Sequence, residues 1–303
     1  MADCCETPKV NMRPQNLKTK IFLDSGDPAE TKEIINLLGF LDGQTTNPTL
    51  ISKNPYARER LEKGEKFSKQ EIYDFYKKVV FDISKLIPDG SISIEVYADA
   101  QTQTEEMLKH AREMFSWIPN AHIKFPTTKE GLKAAEQAVK EGLRINMTLC
   151  FSQEQAAAVY SATRGAEKGG VFVSPFVGRL DDREENGMDL IKNILTMYKD
   201  GDGHVEVLTA SVRTMDHFLY AIQLGSDIIT APYKILKEWG EKGLPLPESD
   251  FVYSAKALKD IAYKKIDLSK NWKEYDIVRE LTDQGIERFS EDWNKLIVEK
   301  KCC

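Results

Sequence analysis

The chain is 303 residues long, with 41% hydrophobic and 30% charged residues, a balance that suits a globular protein with a large core and excludes disordered, collagen-like and coiled-coil classes. Its 42 basic and 48 acidic residues leave a net charge of −6, and the absence of a basic block argues against a dedicated nucleic-acid partner, which needs clustered Lys and Arg to neutralise phosphates. No segment approaches the roughly 18 apolar residues of a membrane span, and residues 1–10 (MADCCETPKV) lack the apolar run of a secretory signal. No membrane partner and a cytoplasmic location are therefore expected.

A unit recurs along the chain: a short β-branched or apolar run, a punctuation mark, then an amphipathic helical stretch. The expected strands are 20–23, 41–45, 92–96, 122–125, 144–148, 171–173, 205–209 and 227–230. The helical patterns between and after them cover 28–38, 69–86, 102–115, 128–141, 152–168, 188–198, 214–224 and 233–242. Asp27 followed by Pro28 reads as a helix start, Ser152 with Gln155 as a capping box, and Gly142, Gly169 and Gly225 as helix stops. Eight strand–helix units predict a closed (β/α)8 TIM barrel. A doubly wound sheet is the competitor, but the turn after the first strand, 24–27 (DSGD), has no GxGxxG. The expected organisation is a tail over 1–17, one barrel domain over 18–300 with additional C-terminal helices beyond Pro245, and a short tail over 301–303.

Four of the five cysteines form the terminal pairs Cys4-Cys5 and Cys302-Cys303, leaving Cys150 inside the body. That distribution fits a reducing compartment with solvated tails. His110, His122, His204 and His217 are dispersed, without the spacing of a metal site, so no bound metal is expected.

In such a barrel the chemistry gathers at the C-terminal strand ends. Polar candidates there are Asp24, Thr46 with Asn47, Glu95, Lys124, Asn146 with Thr148, Ser174, Arg179, Ser211 and Arg213. Pro48, Pro126, Pro175 and Pro232 stop four of the strands and hold the preceding residue extended. Lys124 is central. It lies in a short apolar strand, where desolvation disfavours the ammonium form and should lower its pKa. A neutral amine can attack a carbonyl and form a Schiff base. The alternative is a lysine that snorkels to the barrel mouth or pairs with Asp24 or Glu95. Asp24 and Glu95 could move protons, Thr148 could hold a water, and Asn47 and Asn146 could bind hydroxyls of a polyol. Arg179, Ser211 and Arg213 come from neighbouring strand ends and suit a phosphate.

These residues sit in stretches that resemble the transaldolase family: 22–27 (FLDSGD), 45–50 (TTNPTL), 94–96 (IEV), 123–128 (IKFPTT), 146–149 (NMTL), 174–179 (SPFVGR) and 209–213 (TASVR). The resemblance implies a cofactor-free enzyme of the pentose phosphate pathway acting on small sugar phosphates. It would transfer a dihydroxyacetone unit from sedoheptulose 7-phosphate to glyceraldehyde 3-phosphate, giving erythrose 4-phosphate and fructose 6-phosphate. By the same resemblance Lys124 is the Schiff-base lysine, Asp24 the acid/base at the C4 hydroxyl, and Glu95 and Thr148 hold the catalytic water. Thr46, Asn47 and Asn146 would bind the donor, Ser174 and Phe176 would line the pocket, and Arg179, Ser211 and Arg213 would take the phosphate. The stretch 178–188 resembles the short subfamily, which includes fructose 6-phosphate aldolases. Those aldolases tend to carry Gln in place of Glu95 and Tyr in place of Phe176. The alternatives are an aldolase that releases free dihydroxyacetone and a non-catalytic sugar-phosphate binder. The oligomeric state, a homo-oligomer included, stays open.

Overall fold

The computed structural model describes residues 11–248, 250–255 and 257–298. The paired terminal cysteines lie outside them. In chain order the chain forms β1 (Lys20–Asp24), α1 (Pro28–Leu38), β2 (Gly43–Thr45), α2 (Pro48–Ser52), α3 (Pro55–Glu62), α4 (Lys69–Leu86), β3 (Ser91–Glu95), α5 (Thr104–Phe115), β4 (Ala121–Pro126), α6 (Lys129–Lys140), β5 (Ile145–Cys150) and α7 (Gln153–Ala162). There follow β6 (Val171–Pro175), α8 (Val177–Asp181), α9 (Gly187–Tyr198), β7 (Val205–Thr209), α10 (Met215–Leu224), β8 (Ile228–Pro232), α11 (Tyr233–Glu241), a 3-10 turn (Trp272–Glu274) and α12 (Glu280–Asn294).

The strands close in sequence order, β1 to β8, and β8 returns to β1, every pair parallel. The closed barrel settles the choice against a doubly wound sheet. Strand side chains alternate between two faces. One set, including Ile21, Leu23, Ile92, Ile94, Ile123, Phe125, Met147, Val171 and Val173, is fully buried in the apolar core. The other set meets across the lumen, because its contacts join strands that are not neighbours. Phe22 packs on Phe172 and His122 stacks on Phe172; higher up, Asn146 bonds Ser93 and Thr45 bonds Thr230. The lumen is therefore aromatic at its base and polar above. Gly43 makes the base possible: a Cβ there would lie 2.6 Å from the Phe22 ring and 2.4 Å from the Ser91 carbonyl oxygen.

Several expected elements shift. β2 is only three residues long. The short helices α2, α3 and α8 were not expected; α2 and α3 begin at Asn-Pro steps whose Asn side chains accept from Leu50 N and Tyr56 N. α7 ends at Ala162 rather than 168, with the Thr163 hydroxyl turned back onto the Val159 carbonyl. The capping box at Ser152 is half-formed: Ser152 accepts from Gln155 N, but the Gln155 side chain accepts from Phe151 N.

Beyond Pro245 the expected additional helical structure is present among the described residues as the 3-10 turn and α12. Much of the intervening segment is tied down by bonds such as Gln153 with Lys264 and Asn193 with Ile261. At the other end, Asn11, the first described residue, donates to the carbonyls of Leu37 and Gly240, and Arg13 pairs with Asp42. These contacts lie ahead of the expected boundary at residue 18.

Candidate active site

Lys124, Glu95 and Asn146 stand side by side because β3, β4 and β5 pair in register at these residues. Lys124 is 3% exposed. Its Nζ donates to the Thr46 carbonyl at 3.1 Å and lies 3.0 Å from Glu95 Oε2, at an angle too oblique for a well-formed hydrogen bond. Of the readings open in the sequence, the structure shows a buried lysine paired with Glu95.

Burial pushes the Glu95 carboxyl above its ordinary range; the nearby Lys124 charge opposes that shift and Asp24 adds to it. Asp24, at the end of β1, accepts from the Thr45 hydroxyl at 2.6 Å. Burial raises its carboxyl too, against the opposing charges of Lys124 and Lys53. Two carboxyls pushed upward by burial beside one amine are placed to exchange protons with it.

Thr148 is fully buried on β5, and its hydroxyl finds no partner among the described residues. The next residue, Leu149, has a left-handed backbone (φ 58°) at a register shift between Met147 and Cys150. α12 braces that irregularity: the Thr282 hydroxyl donates to the Leu149 carbonyl, and Gln155 donates in turn to Thr282.

Above the lysine opens a cavity of about 250 Å3, lined by Asp24, Asn47, Lys124, Ser174, Phe176 and a basic rim. Asn47 spends its Oδ1 capping α2, which leaves its amide NH2 as the donor toward a ligand. Ser174 donates to Asn146 Oδ1, and Asn146 donates to Ser93, so Asn146 sits behind Ser174 and outside the cavity lining. Phe176 packs edge-to-face on Phe151. Thr46 departs from expectation. Its hydroxyl bonds Tyr76 and the Ser93 carbonyl, away from the cavity, and only its carbonyl reaches Lys124.

The rim carries Arg179, Ser211 and Arg213, joined by Lys53 and Arg288. Arg213 is gripped by Asp182, one bond at 2.6 Å and a second shorter one. A side chain at residue 178 would collide with it: a Cβ on Gly178 would lie 2.4 Å from Arg213 Nε. Arg179 is half-buried, and among the described residues it has no carboxylate within ion-pair distance. Desolvation and the charges of Arg288 and Arg213 lower its pKa. Positive charge accumulated in excess of carboxylates makes an anion site.

Arg288 and Phe289 come from α12 and escaped the sequence reading. So did Tyr76 on α4, whose hydroxyl lies behind the lysine. Nothing in a helical stripe distinguishes a side chain that reaches a strand end far away in sequence.

A larger cavity, about 600 Å3, opens at the opposite end of the barrel around Lys20, His122 and Phe172. Lys20 is paired there with Glu206, and His122 is engaged by Ser91 and the Gly169 carbonyl. Burial drops the His122 pKa to about 3, so it is neutral and inert at ordinary pH.

The family described as transaldolase/fructose-6-phosphate aldolase matches residues 21–300. A probable transaldolase of Dehalococcoides mccartyi is 42% identical over 219 residues, 72% of this chain and 89% of that protein. One from a Thermoanaerobacter species is 36% identical over 276 residues, 91% of this chain and 97% of that protein. A third, from Brucella ovis, is 40% identical over 218 residues, 72% of this chain and 87% of that protein.

Proposed function

The chain belongs to the transaldolase/fructose-6-phosphate aldolase family, and from that premise we propose that it is a transaldolase. It moves a dihydroxyacetone unit from sedoheptulose 7-phosphate to glyceraldehyde 3-phosphate through a Schiff base on Lys124. The observation that carries this reading is the buried amine of Lys124 beside Glu95, on the floor of a cavity whose rim is arginine-rich.

Glu95 takes the proton that Lys124 must lose before its amine attacks C2 of the ketose. The carbinolamine then expels water, leaving an iminium ion; Glu95 and the unpartnered hydroxyl of Thr148 hold that water. Asp24 accepts the proton of the C4 hydroxyl as the C3–C4 bond breaks, and the bonding electrons flow into the iminium. The aldehyde phosphate departs, while the three-carbon enamine stays on Lys124 and cannot diffuse away before an acceptor arrives. Addition to the acceptor aldehyde forms the new C–C bond. Asp24 returns its proton to the new alkoxide, and water releases the ketose product from the lysine. Asn47 and Ser174 orient the donor hydroxyls, and Arg179, Ser211, Arg213 and Arg288 hold the phosphate of donor and acceptor alike.

Glu95 and Phe176 favour transfer over an aldolase reaction, since the aldolases of this family tend to carry Gln and Tyr there. The test is borohydride reduction in the presence of fructose 6-phosphate, followed by peptide mass spectrometry. A three-carbon adduct on Lys124 is expected, absent in Lys124→Met. In a separate sample without borohydride, adding erythrose 4-phosphate to enzyme and fructose 6-phosphate should drive turnover. Rapid release of free dihydroxyacetone without an acceptor would favour the aldolase, and substrate binding without any adduct would leave a non-catalytic binder.

A further inference from the structure

We propose that Tyr76, on the outer helix α4, is the positioning residue of the lysine site: its hydroxyl ties together the two groups that hold the Lys124 amine. This rests on the reading of Lys124 as the nucleophile. Tyr76 sits on the buried stripe of α4 with Ile72, Val79, Val80 and Ile83, where a wholly apolar residue would satisfy the packing. Its ring is fully buried, with the rings of Trp117 and Trp293 at 5.9 and 5.8 Å. A phenol pushed into that layer must find partners or destabilise the fold.

It finds two. Glu95 N donates to the Tyr76 oxygen at 3.0 Å, and the oxygens of Tyr76 and Thr46 are 2.6 Å apart. β2 pairs with β3 only as far as Thr45 and Ser93, so β2 offers Glu95 N no carbonyl and the phenol stands in its place. The Thr46 hydroxyl also reaches the Ser93 carbonyl at 2.7 Å. One assignment of protons satisfies every group: Glu95 N–H to Tyr76, Tyr76 O–H to Thr46, Thr46 O–H to the Ser93 carbonyl. Such a chain is directional and its bonds reinforce one another. Lys124 Nζ rests on two members of that chain, at 3.1 Å from the Thr46 carbonyl and 3.0 Å from Glu95 Oε2. Removing the phenol oxygen takes the acceptor from Glu95 N and one of the partners from the Thr46 hydroxyl, loosening both supports without opening the cavity or touching the arginine rim.

The test is Tyr76→Phe, which keeps the ring, with Tyr73→Phe as control. Tyr73 lies on the same helix and packs on the same Trp293 ring at 5.7 Å. Displacing the amine is expected to lower kcat roughly 10- to 100-fold and slow borohydride trapping of the Lys124 adduct in proportion. KM for fructose 6-phosphate should stay within about two-fold, because a loss confined to kcat marks a misplaced reacting group rather than lost binding. Tyr73→Phe should behave as wild type. Thr46→Val breaks the same chain from its other side and should reproduce the kcat loss; it decides the matter if Tyr76→Phe does not fold. Normal kcat and trapping in a folded Tyr76→Phe or Thr46→Val protein, with Lys124→Met inactive, would overturn the proposal. An active Lys124→Met would instead remove the nucleophile assignment itself.

Discussion

Glu95 and Lys124 are register partners on adjacent strands, and their side chains meet inside the barrel at 3.0 Å, both about 5% exposed or less. Neither charge is cheap to bury, and removing either partner leaves the other uncompensated. A pair of this kind is weak evidence for stability. In the proposed mechanism its use is chemical, because one proton passed from Lys124 to Glu95 turns two buried charges into a neutral amine and a neutral acid.

The raised carboxyls of Asp24 and Glu95 fix the sign of the pH dependence. Burial holds each of them above its ordinary value. The ionised forms that act as bases fill as pH climbs through the raised values, so kcat/KM should fall on the acid side at a pH above the ordinary carboxylate range. Stability runs the other way: a carboxyl that holds its proton more tightly when folded makes the protein less stable as pH rises through the same window. Asp24→Asn should therefore abolish turnover while raising the melting temperature at neutral and mildly alkaline pH. Glu95→Gln should remove part of the acid limb from whatever activity remains. A pH–rate profile of the wild type with thermal melts of the variants checks both; an acid limb at or below the ordinary carboxylate value of about 4 would contradict the burial argument.

The arginine rim should separate binding from chemistry. Arg213→Ala and Arg179→Ala are each expected to raise KM for phosphorylated substrates roughly ten-fold or more, the scale of a charge-assisted hydrogen bond, with smaller effects on kcat. Arg288→Ala should do the same. Steady-state kinetics with fructose 6-phosphate and with its unphosphorylated counterpart decides this, since the phosphate-free substrate should be nearly indifferent to all three changes.

The seat of α12 can be tested at Gly285. A Cβ there would lie 2.5 Å from Leu149 Cδ2 and 3.3 Å from its Cγ. Leu149 is 1% exposed, so it has little room to yield. Gly285→Ala gains about 1 kcal/mol of helix propensity but overpacks a buried contact at a cost of about 1–3 kcal/mol. The overpacking outweighs the propensity gain, and the melting temperature should fall. KM should rise with it, because Arg288 and Phe289 ride on the same helix.

Much of this was legible in the chain. The recurring strand–helix unit implied the barrel, and α1, α4 and β7 run over the expected residues, since each has a clear period and clear ends. Lys124, Glu95 and Asp24 stood out because charged residues in short apolar strands need a reason to be there. α2, α3 and α8 were illegible because five to eight residues give a periodicity no purchase. The segment after Pro245 is held by scattered side-chain bonds, which leave no pattern in sequence. The direction of the Thr46 hydroxyl was not legible either: its position at a strand end suits a ligand, while the hydroxyl bonds Tyr76 and the Ser93 carbonyl. Arg288 and Tyr76 were invisible for a related reason. Each is one residue of an amphipathic helix, and only the closed barrel shows what it reaches.

The cavity's walls are drawn from almost the whole length of the chain, from Asp24 at one end to Phe289 at the other. During synthesis the eight strands emerge by Pro232, more than 50 residues ahead of Arg288 and Phe289. A nascent chain halted between those points would own a lysine and its carboxylates but no complete mouth over them. Among the described residues α12 is therefore the element that completes the mouth of a cavity whose lysine is supplied more than 150 residues earlier in the chain.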